Sequence, residues 1–343
     1  MKKWLKRIGI GVLLLLLVLT TVGAVYERVM RRRAATEHPA PGRLVDIGGR
    51  RLHLDCRGTG TPIAVLEAGL DMNGSLAWAP VHDSIAGFTR TCAASRAGVM
   101  WSDDSPGPHH AGTVAADLKA ALTAAGESGP YVMVGHSLGG PYIVTFTKRY
   151  PTDVAGLVFV DASHPDQERR LAEVMGKALD PPFGPMKALA ALAWTGLPRL
   201  LIPMDTSTVS GPLAVRQAMK AYAATSLGPM LAEAAGMPET MAEAGQGTAL
   251  GNRPLVVLTA LKPLDSASLA TLKMTADDGA KFQSVWRTLH VEEASWSSRS
   301  EHILVPDASH YIQRDRPDLV IGAVRRVVEQ VRNPTPTRDA AGH

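Results

Sequence analysis

The sequence predicts an α/β protein in which a mostly parallel eight-stranded sheet is covered by helices on both faces. Eight short apolar segments have strand character, and from the fourth onward they alternate with helix-like segments. Strands that alternate with helices form parallel sheets, because each crossover helix returns the chain to the same edge. The alternation stops after residue 163 and resumes near residue 253, which predicts a helical insertion.

The predicted strands and helices follow in chain order. The strands are Arg43–Ile47, Arg51–Cys56, Ile63–Glu67, Thr91–Ser95, Tyr131–Val134, Gly156–Val160, Leu255–Thr259 and His302–Val305. The helices between the later strands are Thr113–Ala125, Leu138–Tyr150, a segment around Ala280–Leu289, and Pro317–Val331. The first two strands flank Gly48-Gly49 and are predicted to form a hairpin. The core thus comprises residues 43–163 and 253–332, and residues 333–343 are predicted to be a disordered tail.

The insertion, residues 164–252, is rich in Ala, Met, Leu and Pro. Its helices are predicted to break at prolines, namely Pro181-Pro182, Pro198, Pro203, Pro212 and Pro238. A group of apolar residues is predicted either to line an acyl pocket or to pack the helices together. These residues are Leu189, Leu192, Trp194, Leu197, Leu200 and Ile202.

The N-terminal residues 1–33 have the composition of a signal-anchor. Ile8 to Val25 is an uncharged stretch of 18 residues between basic flanks, and as a helix it spans about 27 Å, close to the thickness of a hydrocarbon core. The following arginines, Arg31 to Arg33, favour a retained anchor, although Val22-Gly23-Ala24 leaves signal cleavage and secretion open. Residues 34–42 are small, polar and proline-bearing, and are predicted to be a linker.

The charge distribution argues against nucleic-acid binding. Residues 1–33 hold eight Lys and Arg and one acidic residue, so the net charge of +4 divides into +7 there and −3 over the remaining 310 residues. A slightly acidic domain lacks the basic face that nucleic acid requires. The two cysteines, Cys56 and Cys92, have no metal-ligand spacing, so neither a metal nor another cofactor is predicted.

The strongest functional motif is Gly135-His136-Ser137-Leu138-Gly139, which lies between a predicted strand and a predicted helix. In that context the pattern G-x-S-x-G holds a serine in a sharp, strained turn that projects its hydroxyl above the sheet. Small flanking residues are needed for the chain to pass through such a turn. Ser137 is therefore the candidate nucleophile.

A serine hydroxyl needs a base to accept its proton. His310 follows the last predicted strand and the turn Pro306–Ser309, at the carboxyl end of the sheet where sites in open α/β sheets form. We therefore expect His310 to be the base. The histidines His136, His164, His290 and His302 are expected to be structural or exposed.

With these residues in view, the chain from Leu44 to Val331 resembles the α/β-hydrolase superfamily, in its lipase, esterase and peroxidase-like branch. The resemblance is carried by GHSLGG at 135–140, LVFVDASHPD at 157–166, DASHYIQRDRPDLV at 307–320 and SRAGVMWS at 95–102. In the last motif, Ser95 and Met100 replace the family's usual Asp and Gly. The resemblance implies a Ser–acid–His triad in that chain order, no metal, and a lid inserted after the sixth strand.

The resemblance also implies an oxyanion hole made of two backbone N–H groups. One belongs to Leu138, directly after the nucleophile. The other is expected from Leu70, in a loop where the family commonly has His-Gly and this chain has Ala68-Gly69.

Two aspartates are candidates for the acid. Asp161 ends the sixth predicted strand, a position that some haloalkane dehalogenases of this superfamily use. Asp265 follows the seventh strand, the commoner location in the family, but falls late in its loop and 45 residues before His310. Asp161 is the preferred candidate, and Asp265 stays open as the alternative.

The predicted function is hydrolysis of a small-molecule carboxylic ester through an acyl-serine intermediate. Amidase, thioesterase, lactonase and perhydrolase activities are compatible with the same triad, and a catalytically silent membrane-anchored binding protein is the alternative from another class. With a signal-anchor, the catalytic domain is expected in the periplasm or outside the cell. In the strand order typical of this fold Cys56 and Cys92 are neighbours, so a disulfide is expected there, with two free thiols as the alternative. The sequence leaves the oligomeric state unknown.

Overall fold

The computed structural model describes residues 2–176, 183–201 and 211–334. Its centre is an eight-stranded sheet in the order β1-β2-β4-β3-β5-β6-β7-β8. The strands are β1 Arg43–Asp46, β2 Arg51–Arg57, β3 Ile63–Glu67, β4 Thr91–Ser95, β5 Tyr131–His136, β6 Val154–Val160, β7 Leu255–Ala260 and β8 Ser300–Val305. The pairs β1–β2 and β2–β4 are antiparallel, and all later pairs are parallel. The predicted fold class and its eight strands are confirmed.

The α-helices of the described residues follow in chain order. They are α1 Lys2–Glu37, α2 His82–Ala86, α3 Ala111–Ala125, α4 Gly139–Arg149, α5 Gln167–Met175, α6 Phe183–Ala191, α7 Leu197–Leu201, α8 Leu213–Ala235, α9 Met237–Gly245, α10 Ser266–Leu272, α11 Ala276–Ser295, α12 Ile312–Asp315 and α13 Pro317–Arg332. The short α10 escaped sequence analysis. Asp265 caps its N-terminus by accepting a hydrogen bond from Ser268 N (2.8 Å).

Helices cover both faces of the sheet, which explains why the central strands are apolar without alternation. In β3, Val65 packs with side chains of α3 and α4 in one core cluster, whereas its neighbours Ala64 and Leu66 pack with α2 and α13 in the other. In β5, Met133 and Val134 divide between the two clusters in the same way. Burial on both faces makes the sheet a rigid platform for the loops at its carboxyl edge.

Between β6 and β7 the described residues form the helices α5 to α9. The predicted breaks at Pro212 and Pro238 coincide with helix starts. Proline is tolerated there, because a backbone N–H at the start of a helix has no partner within the helix. Pro198 lies in the first turn of α7 and does not break it. The predicted breaks at Pro181-Pro182 and Pro203, like residue Ile202 and most of the predicted tail, lie outside the described residues.

The N-terminal helix α1 is longer than predicted. It runs to Glu37, so residues 34–37 of the predicted linker are helical. The segment Ala-Ala-Thr-Glu tolerates helix well, Arg33 pairs with Glu37 one turn later (2.7 Å), and Ala34 is buried. Within the described chain, α1 is the one helix long and apolar enough to cross a membrane, a property that membrane anchors and signal sequences share.

A disulfide joins Cys56 and Cys92, as the sequence predicted. The two residues are direct partners in the antiparallel pairing of β2 with β4. The bond therefore fastens the antiparallel part of the sheet to the parallel part.

Candidate active site

Ser137 lies in the sharp turn between β5 and α4, hereafter the serine turn (residues 135–139). Its φ of 51° falls in the left-handed region that side chains other than glycine rarely adopt. The flanking glycines permit this turn, since a Cβ on Gly135 would lie 2.6 Å from Gly139 O, and one on Gly139 would lie 2.3 Å from Glu67 O. The strained serine predicted from the sequence is thus present, and such strain is concentrated at functional sites.

His310 and Asp161 lie against each other at the same edge of the sheet. Asp161 directly follows β6, the neighbour of β5, and His310 lies in the loop after β8. His310 Nδ1 and Asp161 Oδ2 are 2.6 Å apart. The carboxylate accepts the proton on Nδ1, which leaves Nε2 of the neutral imidazole without a proton and able to accept one.

Asp161 is buried, and each of its oxygens has donors. Oδ1 accepts hydrogen bonds from Ala260 N (2.8 Å) and from Trp286 Nε1 (3.0 Å), while Oδ2 is paired with His310. Burial alone would raise the pKa of this carboxyl, but the hydrogen bond and charge of His310, the nearby His290 and the Ala260 N–H outweigh burial and lower the pKa. Asp161 therefore stays ionised and orients the ring of His310.

The residue before the nucleophile, His136, connects the serine turn to His310. His136 Nε2 donates to the backbone carbonyl of His310 (2.9 Å), and the centroids of the two rings are 4.7 Å apart. Burial, together with the charge of His310, lowers the pKa of His136 to about 3, so its ring is neutral. This bond fixes the loop of His310 beside Ser137, a positioning contact that the sequence did not reveal.

The loop after β3 approaches Ser137 closely. A Cβ on Gly69 would lie 2.9 Å from Ser137 Cβ, so only glycine fits there. Among the residues described, the backbone N–H groups of Leu70 and Leu138 have no hydrogen-bond partner in the protein. Both expected oxyanion donors thus lie near Ser137, and among the described residues neither N–H group has a hydrogen-bond acceptor.

Arg96 holds this loop in place, a role that sequence analysis missed. Its guanidinium donates to the carbonyls of Ala68 (2.8 Å) and Gly69 (2.7 Å), and to the carboxylates of Glu67 (2.8 Å) and Glu233 (2.7 Å). All of these charged groups are buried. Glu233 belongs to α8, so one arginine ties the insertion to the loop that carries Leu70. The motif at 95–102 contained the signal, because Arg96 is its second residue.

The alternative acid, Asp265, is not at the site. Its carboxylate is exposed and caps α10. The hydrogen bond that this carboxylate accepts from the Ser268 N–H lowers the pKa of Asp265. The alternative that places the acid after the seventh strand finds no support in the structure. Tertiary contacts decide between the two aspartates, and only Asp161 lies against His310.

Among the described residues, two groups of side chains outside this site lie close enough together to hold a cation. The first, Cys56, Cys92 and Glu127, has its two sulfurs joined in the disulfide. The second is His110, Glu239 and Glu243. They join the start of α3 to α9. His110 Nδ1 lies 3.0 Å from Glu243, and Gly112 N donates to the same carboxylate (2.6 Å). These bonds hold the two helices together.

Comparisons with known proteins agree with this architecture. Residues 33–323 match the family model described as the alpha/beta hydrolase family. In solved structures, the chain is similar to a thermophilic esterase from Thermogutta terrifontis (TM-score 0.55, 19% identity, 84% of this chain and 97% of that one). It is also similar to an epoxide hydrolase from Bacillus megaterium (TM-score 0.58, 16% identity, 84% of this chain and 100% of that one).

Two of the curated relatives are matched over short stretches. An uncharacterized protein from Schizosaccharomyces pombe is 46% identical over 74 residues, which are 22% of this chain and 14% of that protein. A probable transporter from Hormonema carpetanum, efuK, is 36% identical over 136 residues, 37% of this chain and 19% of that protein. The chain thus spans under a fifth of the length of these relatives. The family match covers most of the chain, and the protein belongs to the α/β hydrolase family.

Proposed function

We propose that this protein is a serine hydrolase that cleaves a small-molecule carboxylic ester through an acyl-serine intermediate. The observation that carries the proposal is the serine turn beside a His310–Asp161 pair 2.6 Å apart. A strained serine, a histidine with one ring nitrogen free and a buried ionised aspartate are the three components of such a mechanism.

In the proposed reaction, Ser137 Oγ attacks the ester carbonyl while His310 Nε2 takes the hydroxyl proton. Asp161 stabilises the imidazolium that forms, through the bond to Nδ1. The protonated ring then gives its proton to the leaving alcohol. Water repeats the sequence on the acyl-serine and releases the acid.

The oxyanion that develops on the carbonyl is assigned to the N–H groups of Leu70 and Leu138. Fixed donors of this kind contribute about 3–4 kcal/mol each to transition-state stabilisation. Arg96 supports the Leu70 donor, because it holds the carbonyls of the two residues before Leu70. The usual histidine of this loop is Ala68 here, and the arginine fixes the backbone in its place.

The nucleophile separates this proposal from the other chemistry of the fold. Epoxide hydrolases and haloalkane dehalogenases of this superfamily use an aspartate where this chain has Ser137. Similarity to an epoxide hydrolase structure therefore concerns the fold and not the reaction.

We further propose that α1 anchors the protein in a membrane with the catalytic domain in the periplasm or outside the cell. The disulfide supports an oxidising compartment. The buried ion pair between Glu27 and Arg199 (2.6 Å) supports retention of the helix, since it ties α1 to the insertion. Activity that washes off membranes without detergent would contradict the anchor.

The nucleophile is tested with Ser137→Ala and His310→Ala in the full-length protein. Each is expected to lower turnover of p-nitrophenyl esters by roughly 10⁴–10⁶, with substrate binding retained, because triad members act as a unit. Ser84→Ala, at an exposed position of α2, is the control and should keep wild-type turnover. A Ser137→Ala protein with near wild-type activity would refute the proposal.

A further inference from the structure

The insertion exposes large apolar side chains beside α1. Leu192, Trp194, Leu200 and Leu201 are 41%, 54%, 70% and 57% exposed. They occupy one ten-residue segment that ends with α7, and we refer to them as the apolar patch. The sequence predicted that Leu192, Trp194 and Leu200 line a pocket or pack helices together, and the structure leaves all three exposed. Exposed apolar groups concentrated in this way mark an interaction surface.

The segment that carries the patch is fastened to α1. A Cβ on Gly23 would lie 2.3 Å from Thr195 O, so the helix touches this segment through a glycine. Gly196 contacts the ring of Tyr26 in the same manner. The side chains of Arg199 and Glu27 form an ion pair (2.6 Å) and are 7% and 4% exposed.

These contacts fix the level of the patch along α1. The uncharged stretch of the helix ends at Val25, two residues after Gly23. At about 1.5 Å per residue, Gly23 lies only about 3 Å inside that end. The helix then carries Arg28 and Arg31–Arg33, which suit the headgroup level. A bilayer that encloses the uncharged stretch Ile8 to Val25 therefore extends to the level of the apolar patch.

We propose that the apolar patch is embedded in the interface of the lipid bilayer and that the enzyme takes its ester substrate from the membrane. The second half of this statement rests on the proposed function. Tryptophan and leucine are residues that bind bilayer interfaces. The neighbouring arginines favour anionic headgroups at the same level.

Apolar side chains connect the patch to the candidate site. Helix α6 directly precedes the patch, and its Phe183, Met186 and Leu189 pack in one cluster with Leu70 and Met72. The same cluster includes Leu227, Met230 and Leu231 of α8. Leu70 is the proposed oxyanion donor, so an acyl chain leaving the bilayer at the patch meets apolar contacts up to the reacting carbonyl. The substrate class that fits is an ester with a long acyl chain that partitions into lipid.

Insertion of the patch is tested by fluorescence of the full-length protein in vesicles of brominated phosphatidylcholine and phosphatidylglycerol. The background is Trp4→Phe, because Trp4 lies near the other end of α1 and is 70% exposed. Bromine should quench this protein, and Trp194→Phe should remove most of the quenched emission. Equal quenching with and without Trp194, or no quenching, would overturn the proposal. A patch that binds a second copy of the chain would give the latter result.

Delivery from the membrane is tested with the triple variant Trp194→Gln, Leu200→Gln, Leu201→Gln. We expect hydrolysis of a p-nitrophenyl palmitate dissolved in vesicles to fall at least tenfold, with hydrolysis of soluble p-nitrophenyl acetate within twofold of wild type. Leu272→Gln and Val291→Gln, 42% and 54% exposed on α10 and α11, are matched controls expected to change neither rate. An unchanged palmitate rate would refute delivery. If the wild type does not hydrolyse p-nitrophenyl acetate, the proposed function is refuted instead. The quenching experiment would still test whether the patch inserts into the bilayer, because it does not depend on activity.

Discussion

Two buried carboxyl groups flank His290, and they differ in nearly every contact. Asp161 lies 3.8 Å from His290 Nδ1, and Glu293 lies 3.9 Å from Nε2. Asp161 accepts hydrogen bonds from His310, Ala260 and Trp286. In the part of the chain that the structure describes, neither carboxyl oxygen of Glu293 has a hydrogen-bond partner.

His290 does not donate a hydrogen bond to Glu293, because both ring nitrogens of His290 already have other hydrogen-bond partners. Its Nε2 donates to the carbonyl of Ala162 (2.8 Å), so its Nδ1 accepts from the hydroxyl of Thr259 (2.8 Å). Burial lowers the pKa of His290, which keeps the ring neutral. Burial disfavours the charged form of Glu293 too, and therefore raises its pKa well above the ordinary value; the nearby Asp161 raises this pKa further. The protonated glutamic acid lies in a narrow cleft with Phe159 and Trp296.

Burial therefore does not by itself decide the charge of a carboxyl group in this protein. Donors decide it, because a carboxylate with several donors keeps its charge in the interior and one without donors takes a proton. The ionised group lies where a cation forms during the proposed reaction, and the neutral group lies one residue layer away, behind His290. We therefore assign chemistry to Asp161 and none to Glu293.

The largest expected effect comes from exchanging each carboxyl for its amide. Asp161→Asn should lower turnover of p-nitrophenyl acetate by about 10⁴ at neutral pH, because the amide favours the wrong tautomer of His310. Glu293→Gln should leave turnover within twofold, since a neutral group replaces a neutral group. Equal losses in the two variants would remove the distinction, and circular dichroism checks that both fold.

A smaller loss is expected from Trp286→Phe, which removes the indole donor to Asp161 Oδ1. Loss of one such bond at about 1–1.5 kcal/mol predicts roughly a tenfold lower kcat, with KM little changed. Phe282, which stacks on Trp286, supplies a control: Phe282→Leu alters packing and leaves the donor in place. Larger damage from Phe282→Leu than from Trp286→Phe would show that packing, not the hydrogen bond, matters there.

The last expected effect is on stability rather than on turnover, and it depends on pH. The pKa of Glu293 is raised in the folded state, so between the unfolded pKa of about 4.5 and the folded pKa the folded protein holds up to one more proton than the unfolded chain. The free energy of unfolding of the wild type therefore falls as pH rises, by at most about 1.4 kcal/mol per pH unit from this group. Glu293→Gln lacks this contribution, so its stability relative to wild type should increase between pH 5 and pH 8. A constant difference in urea denaturation across that range would contradict the assignment.

Local patterns in the sequence were sufficient for the strands and for the serine turn. The central strands are buried on both faces and therefore are apolar throughout, and Gly135 is required by a clash with Gly139 O, four residues later. The clash at Gly139 is with Glu67 O of β3, but the G-x-S-x-G pattern already indicated a glycine there. The position of His310 could be predicted because parallel strands end at the same edge of a sheet, where sites in open α/β sheets form. The choice between Asp161 and Asp265 needed the structure, because it depends on which side chain faces that ring.

Other features depend on contacts between distant residues and have no local signature. Trp286 reaches Asp161 across 125 positions of the chain, and Arg96 reaches Glu233 across 137. The end of α1 was placed too early, because the packing of Ala34 and the pairing of Arg33 with Glu37 extend the helix. Trp194 is 54% exposed although α1 and α8 both contact its segment, a relation that composition does not reveal.

Reaction of the full-length protein with a fluorophosphonate probe tests the central claim most directly, because only a serine activated by a base reacts rapidly. The account predicts one labelled peptide carrying the adduct on Ser137, with labelling lost in Ser137→Ala and slowed at least a hundredfold in His310→Ala. It also predicts that labelling of Glu293→Gln matches the wild type. A protein that does not react, or that reacts equally well without Ser137, would contradict the account.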